Sequence, residues 1–209
     1  MEQVRLFFRK IGNIRYISHL DLQRTMSRIL MRSGLDIAFS KGYNPRPKLA
    51  FAVPLSIFHE SEYEILDFKL NTDTAAEEIG EKLRNLLPQG LEIFRITEPK
   101  EKISACRTAR YRLTMTTSKS ADEIRELLSG EIKVLKKTKT REEECDISPQ
   151  ITDMYFYERD GFVIMEATLE SDNANYLNPN YITAFLGDNI DYCLIRRLCL
   201  YNSRGQPMT

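Results

Sequence analysis

An amphipathic helix between Ser18 and Gly34 limits the folds open to this chain, because another element must cover its apolar face. Ser18 can accept a hydrogen bond from a free backbone N–H of the first turn, and Asp21 favours the positive end of the helix. Gly34 takes a positive φ without a Cβ clash and so ends the helix. Apolar residues follow helical spacing between these ends, at Leu22, Met26, Ile29 and Leu30.

The segments around this helix predict the same order of strands and helices in both halves of the chain. The first half follows β-α-β-β-α-β, the split pattern of a ferredoxin-like domain, and the second half repeats it more loosely. We predict an α+β fold of two tandem ferredoxin-like domains, residues 1–99 and 109–209 joined by a linker at 100–108. Each domain is expected to be an antiparallel sheet with helices on one face. The predicted strands are 3–8, 35–39, 48–54, 63–70, 91–97, 109–116, 131–137, 151–157, 161–169 and 192–201, and the further helices are 74–87, 120–128 and 179–186.

Three arginines form a stripe along the first helix. Arg24, Arg28 and Arg32 are spaced four residues apart, and we expect them to lack acidic partners within the helix. One interpretation is a solvated outer face, as is common for charged residues. The other is a phosphate-binding ridge, because the guanidinium fork matches phosphate oxygens.

A basic loop follows the helix in the sequence SKGYNPRPK. It contributes Lys41, Arg46 and Lys48, and its prolines and glycine favour a stiff turn. Tyr43 offers a ring on which a base can stack. The loop is therefore typical of an RNA-binding surface, and a plain hairpin connection is the alternative.

Residues just before and at the start of the helix supply the candidate catalytic groups. His19 lies in the first turn, a position that favours the neutral imidazole able to act as a base. Tyr16 is the candidate helper, and Arg15 joins the predicted nucleic-acid-binding set. A structural role for His19 is the alternative hypothesis.

Charge and cysteine content narrow the classes of function. Residues 1–60 carry ten lysines and arginines against four aspartates and glutamates, although the whole chain has a formal net charge of zero. This asymmetry favours an anionic partner. The four cysteines form no CxxC pair, so we predict neither metal nor cofactor. Scattered cysteines without a signal peptide predict a cytoplasmic protein, and no apolar run approaches the length of a membrane span.

Two motifs resemble the radical SAM-linked protein family. SHLD at residues 18–21 and SKGYNPRPK at residues 40–48 lie within RYISHLDLQRTMSRILMRSGLDIAFSKGYNPRPKLAFAVPLS, which SEYE at 61–64, Asp67 and IRR at 195–197 follow. The resemblance covers nearly the whole chain and implies a domain of unknown function found beside, or fused to, a radical SAM protein. It also implies a partner subunit, because the CxxxCxxC motif of the radical SAM enzyme is absent from the sequence. Members tend to be encoded near ribonuclease G and ribosomal protein genes, which implies RNA.

Three functions are compatible with these patterns. The first is a non-catalytic RNA-binding accessory protein that presents substrate to a radical SAM partner for RNA modification or processing. The second is a metal-independent endoribonuclease, similar to the repeat-associated RNA-processing proteins of CRISPR systems, with His19 as general base and Tyr16 as helper. The third is a pure protein-interaction subunit whose basic face docks an acidic partner.

Overall fold

The computed structural model describes residues 1–137, 142–172 and 175–209. The chain divides into two compact units. Unit 1 comprises Met1–Cys106 together with Asn202–Thr209, and unit 2 comprises Arg107–Tyr201. The last residues of the chain therefore group with unit 1, whereas the sequence places them in the second domain. In the described residues, no helix combines the length and the apolar character that crossing a membrane requires.

Unit 1 is a sheet with two helices. Its elements in chain order are β1 (Gln3–Lys10), α1 (His19–Arg32), β2 (Leu49–Phe51), β3 (Glu60–Lys69), α2 (Ala76–Arg84) and β4 (Leu91–Thr97). The strand β1 pairs with β3 and with β4, and β2 pairs with β3, all antiparallel. The prediction of a mixed α+β fold with a mostly antiparallel sheet is confirmed at this level.

Strand alternation gives β1 two different faces. Val4, Leu6 and Phe8 belong to the core that α1 covers, and all three are buried. The apolar face of α1 fills the same core with the four residues that its spacing predicts: Leu22, Met26, Ile29 and Leu30. Burying one such side chain contributes about 1.5–3 kcal/mol, so this packing fixes the orientation of α1 and turns its arginines outward.

Unit 2 combines a sheet with a separate hairpin. Its elements are β5 (Cys106–Thr116), α3 (Ala121–Leu127), β6 (Lys133–Lys137), β7 (Glu142–Asp146), β8 (Ile151–Arg159), β9 (Phe162–Glu170), α4 (Asn180–Leu186) and β10 (Tyr192–Asn202). The sheet has the strand order β10-β5-β9-β8. The strands β6 and β7 pair with each other in a two-stranded sheet, and the residues that connect them lie outside the described part of the chain.

The predicted strand at residues 35–39 is wrong. This segment forms only isolated bridges, between Ile37 and Leu70 and between Phe39 and Pro47. One reason lies opposite Phe39, because Pro47 has no backbone N–H to donate to a ladder. The neighbouring strand, predicted over residues 48–54, shortens to Leu49–Phe51, and Pro54 in the lost part has no backbone N–H to donate.

Candidate nucleic-acid interface

The start of α1 is fixed by a hydrogen-bonded cap. The backbone N–H of Asp21 donates to Ser18 Oγ at 3.1 Å, and the Ser18 hydroxyl donates to Asp21 Oδ2 at 2.7 Å. The bond from Ser18, followed by the bond from Arg24, lowers the pKa of Asp21 below its ordinary value. The predicted cap is confirmed, and it fixes the residue at which α1 begins.

The three arginines of the stripe on α1 differ in whether they have an acidic partner. Arg24 donates to Asp21 Oδ1 at 3.1 Å, which corrects the expectation that the stripe lacks acidic partners within the helix. Arg28 and Arg32 are exposed. Within the described part of the chain, no carboxylate lies at ion-pair distance from either of them. The available charge of the stripe therefore lies in its second half.

The basic loop is tied together at its base and exposed at its tip. The backbone N–H of Ser40 donates to the Arg46 carbonyl at 2.8 Å, and the N–H of Arg46 donates to Ser40 Oγ at 3.1 Å. Lys41 is exposed, and the Tyr43 ring is fully exposed to solvent. Because the loop closes on itself, its tip presents a cation and a free aromatic ring at a limited cost in conformational entropy.

A cavity of about 510 Å³ lies at the root of this loop. Two predicted residues, Arg46 and Lys48, line it, and so does Lys69 at the end of β3. Lys69 is exposed, but the sequence-based prediction did not include it. Its one signal is the alternation of YEILDFKL, which places a lysine on a solvent-facing position of a strand.

The two candidate catalytic residues, Tyr16 and His19, contact different side chains. Arg15 Nη2 donates to the Tyr16 hydroxyl at 2.9 Å, and the Arg15 guanidinium lies 5.0 Å from the centre of the Tyr16 ring. The Nε2 atom of His19 lies 2.9 Å from Nε2 of Gln23, and its ring meets the Phe51 ring edge to face at 5.3 Å. In these contacts Tyr16 lies beside Arg15, and His19 lies beside Gln23 and Phe51. The catalytic role of both residues stays a prediction.

Two of the ten lysines and arginines in residues 1–60 are used inside the fold. Arg5 is completely buried and donates to both carboxylate oxygens of Asp67 at 2.7 Å. Lys10 is also buried and donates to the carbonyls of Arg15 and His59 at 3.3 and 3.1 Å. The charge count along the sequence therefore overstates the charge that a ligand can meet.

Five cations remain from the predicted nucleic-acid-binding set. They share two properties: each is exposed, and within residues 1–137, 142–172 and 175–209 none has a carboxylate at ion-pair distance. They are Arg28, Arg32, Lys41, Arg46 and Lys48, named here the open cations. The described residues contain no group of three His, Cys, Asp or Glu that can hold a metal ion.

Comparison with protein families identifies the family of this chain. The family described as "Uncharacterized protein conserved in bacteria (DUF2344)" matches residues 3–179. The chain belongs to this family. The match of DUF2344 confirms the domain of unknown function that the motifs indicate, whereas the association with a radical SAM protein stays a prediction. No curated protein matches the chain.

Among solved structures, the DUF2344 chain is similar to a chain in "Crystal Structure of a Cbf5-Nop10-Gar1 Complex". The TM-score is 0.50 and the sequence identity is 9%, over 93% of this chain and 47% of that chain. This chain thus corresponds to about half the length of the solved one. At such low identity the likeness concerns the mixed α+β fold alone.

Proposed function

We propose that this protein is a non-catalytic RNA-binding accessory protein that presents its substrate to a radical SAM partner enzyme. The observation that carries the RNA part is the set of open cations, located on α1 and on the loop that holds Tyr43. Arginine and lysine without internal partners neutralise phosphates at no cost in broken ion pairs.

Tyr43 supports RNA rather than an acidic protein surface as the ligand. Its ring is fully exposed and lies between Lys41 and Arg46 in the same closed loop. Bases of single-stranded RNA stack on such rings while neighbouring cations contact the backbone. An acidic protein surface would pair with the cations, but it has no base to stack on the Tyr43 ring.

The radical SAM part rests on the sequence motifs. SHLD forms the cap and first turn of α1, and SKGYNPRPK forms the basic loop, so both motifs fall on the two segments that carry the open cations. The chain lacks the CxxxCxxC motif and would act with a separate enzyme. A pull-down of the full chain from its own cells, read by mass spectrometry for a radical SAM protein, tests this part separately.

We also infer that each unit is a ferredoxin-like domain. Unit 1 has the element order β-α-β-β-α-β and the neighbour order β4-β1-β3-β2. Unit 2 has the neighbour order β10-β5-β9-β8, with the β6–β7 hairpin as an addition. In such a domain the helices cover one face of the sheet, which leaves the outer side of α1 for a ligand.

The test of RNA binding compares two variants with the same change in charge. In the first, three open cations, Arg28, Arg32 and Arg46, become alanine. In the matched control, three partnered surface cations become alanine: Arg9, Lys82 and Arg125, which pair with Glu92, Glu78 and Asp122. We expect the first variant to bind a mixed cellular RNA pool at least about tenfold more weakly near physiological salt, and the control to stay close to the parent. Equal binding by the first variant and the parent would contradict the proposal.

The same samples separate the alternative functions. RNA cleavage that persists in EDTA and disappears in His19→Ala would favour the endoribonuclease. The absence of RNA binding in the parent, together with co-purification of a radical SAM protein, would favour the protein-interaction subunit. The contacts of His19 with Gln23 and Phe51 do not by themselves favour catalysis.

A further inference from the structure

The cavity at the root of the basic loop has the size of a small-molecule site. Its volume is about 510 Å³, within the range of about 300–1,000 Å³ that ligand pockets occupy. Its walls come from unit 1 alone: the start of β1, the loop, the strand β2, the end of β3 and the segment after β4. The residues that line it include Ser40, Arg46, Pro47, Leu49, Phe68 and Pro99.

One side of the cavity is positively charged. Arg46, Lys48 and Lys69 line it and are exposed, and in the described residues no carboxylate lies at ion-pair distance from any of the three. Three cations in one cavity repel one another, so a bound anion relieves their repulsion as well as contacting each of them. A phosphate group is the ligand that suits this arrangement of guanidinium and ammonium groups.

The rest of the wall combines apolar residues with Gln3, Ser40 and one carboxylate. Pro47, Ala50 and Pro99 contribute carbon surface to the cavity, whereas the Phe68 side chain is buried in the core under α1. Asp67 also lines the cavity, and each of its oxygens accepts one hydrogen bond from Arg5 at 2.7 Å. A carboxylate offers about four acceptor positions, so Asp67 retains capacity for a ligand N–H. A flat, partly apolar group with N–H donors fits such a wall, and a second phosphate does not.

We propose that this cavity binds one nucleotide, with the phosphate at Arg46, Lys48 and Lys69 and the base against the apolar wall beside Asp67. The site rests on the proposed function in one respect: the nucleotide is a residue of the bound RNA. A free mononucleotide has the same chemistry, and the experiment distinguishes the two sources. Lys69 is decisive, because it lines the cavity but lies outside the set of open cations.

Two ligands are titrated into the full chain: a mixture of the four nucleoside monophosphates, and a single-stranded RNA of mixed sequence. Inorganic phosphate at equal concentration serves as the competitor that lacks a base. The variants are Lys69→Ala, which removes one cation, and Ala50→Glu, which adds a negative charge at an exposed lining residue. Their matched controls are Lys102→Ala and Gln89→Glu, at exposed residues that do not line the cavity.

We expect Lys69→Ala to weaken both ligands by about tenfold, as for the loss of one charged hydrogen bond. We expect Ala50→Glu to weaken both at least as much. Lys102→Ala and Gln89→Glu should stay within about twofold of the parent. Thermal unfolding of every variant accompanies the titration, and Lys69→Ala keeps the test valid if Ala50→Glu does not fold.

The remaining outcomes separate this site from the proposed function. If the parent binds RNA but no mononucleotide, and both cavity variants bind RNA like the parent, the nucleotide site is wrong and the RNA function stands. If mononucleotides bind and the cavity variants lose them while the parent binds no RNA, the site is supported and its ligand is a free nucleotide. If inorganic phosphate displaces the mononucleotides at equal concentration, the base contributes nothing and the site is overturned.

Discussion

Two groups of arginines in unit 1 use the same side chain in opposite ways. Arg5 is fully buried and donates to Asp67, to the Glu101 carbonyl at 2.9 Å and to the main-chain oxygen of Thr209 at 2.6 Å. Arg28 and Arg32 are exposed and have no carboxylate at ion-pair distance in the described residues. The supply of partners, and not the residue type, separates arginines that hold the fold from those that a ligand can reach.

A second arginine of unit 1 is half-buried and also bonds within the fold. Arg95 on β4 donates to the Tyr63 hydroxyl at 2.6 Å, and its guanidinium lies 3.7 Å from the centre of the Phe7 ring. The main-chain oxygen of Met208 accepts hydrogen bonds from Tyr63 at 2.9 Å and from Arg95 at 3.4 Å. Together with Arg5, these contacts join the last residues of the chain to the face of β1 opposite α1.

The largest effect on stability should come from removing the buried arginine, Arg5. We expect Arg5→Ala to lower the free energy of unfolding by about 3 kcal/mol, because it leaves Asp67 and two carbonyls without their donor. This is the lower end of the usual range for a broken buried pair, since the Asp67 side chain is 22% exposed. Urea unfolding of the full chain measures it.

The control for Arg5 lies on α1. Arg28→Ala should change the free energy of unfolding by less than about 0.5 kcal/mol, as for exposed residues in general. The double variant Arg5→Met with Asp67→Leu should recover stability relative to Arg5→Ala, because it leaves no uncompensated charge. Equal destabilisation by Arg5→Ala and Arg28→Ala would remove the distinction between the two groups.

A smaller effect is expected at the tip of the basic loop. Tyr43→Ala should weaken binding of single-stranded RNA by about tenfold, since stacking of one base on an aromatic ring contributes about 1–3 kcal/mol. Its unfolding should stay unchanged, because the ring is fully exposed. Tyr43→Phe keeps the ring and should bind like the parent. If alanine and phenylalanine behave alike, the ring does not stack.

The smallest effect should come from turning a partnered arginine into an open one. Asp21→Asn removes the carboxylate that binds Arg24 at 3.1 Å, so we expect RNA to bind about two- to threefold more tightly. Asp21 has a pKa below its ordinary value of 3.8, so its contribution to stability is present above pH 3.8 and is lost as the pH falls below that value. The variant should lack this part of the acid sensitivity in a pH titration of helicity.

The parts of the fold that depend on neighbouring residues could be predicted from the sequence. The cap at Ser18 and the buried face of α1 are confirmed, because helical spacing and capping involve residues within a few positions of one another. The strand expected at residues 35–39 failed because pairing also depends on the opposite segment, where Pro47 has no N–H to donate.

The candidate site could be predicted only in part, for the same reason. The exposure of the five open cations could be predicted, since it follows from the local pattern, and their binding of nucleic acid stays a prediction. The use of Arg5 and Lys10 inside the fold depends on residues 62 and 49 positions away, so a charge count over residues 1–60 could not detect it. Lys69 was missed because its place beside Arg46 and Lys48 results from the pairing of β2 with β3.

The most direct test is the salt dependence of single-stranded RNA binding. The parent is compared with a variant in which all five open cations become glutamine, and with Arg9→Gln/Lys82→Gln/Arg125→Gln as the partnered control. Log K falls as log salt rises, and each phosphate contact contributes about 0.7 to the steepness of this fall. Loss of five contacts therefore predicts a slope less steep by about 3.5 in the open-cation variant. The partnered control should keep the parent's slope. Parallel slopes for the parent and the open-cation variant would show that these cations do not bind RNA.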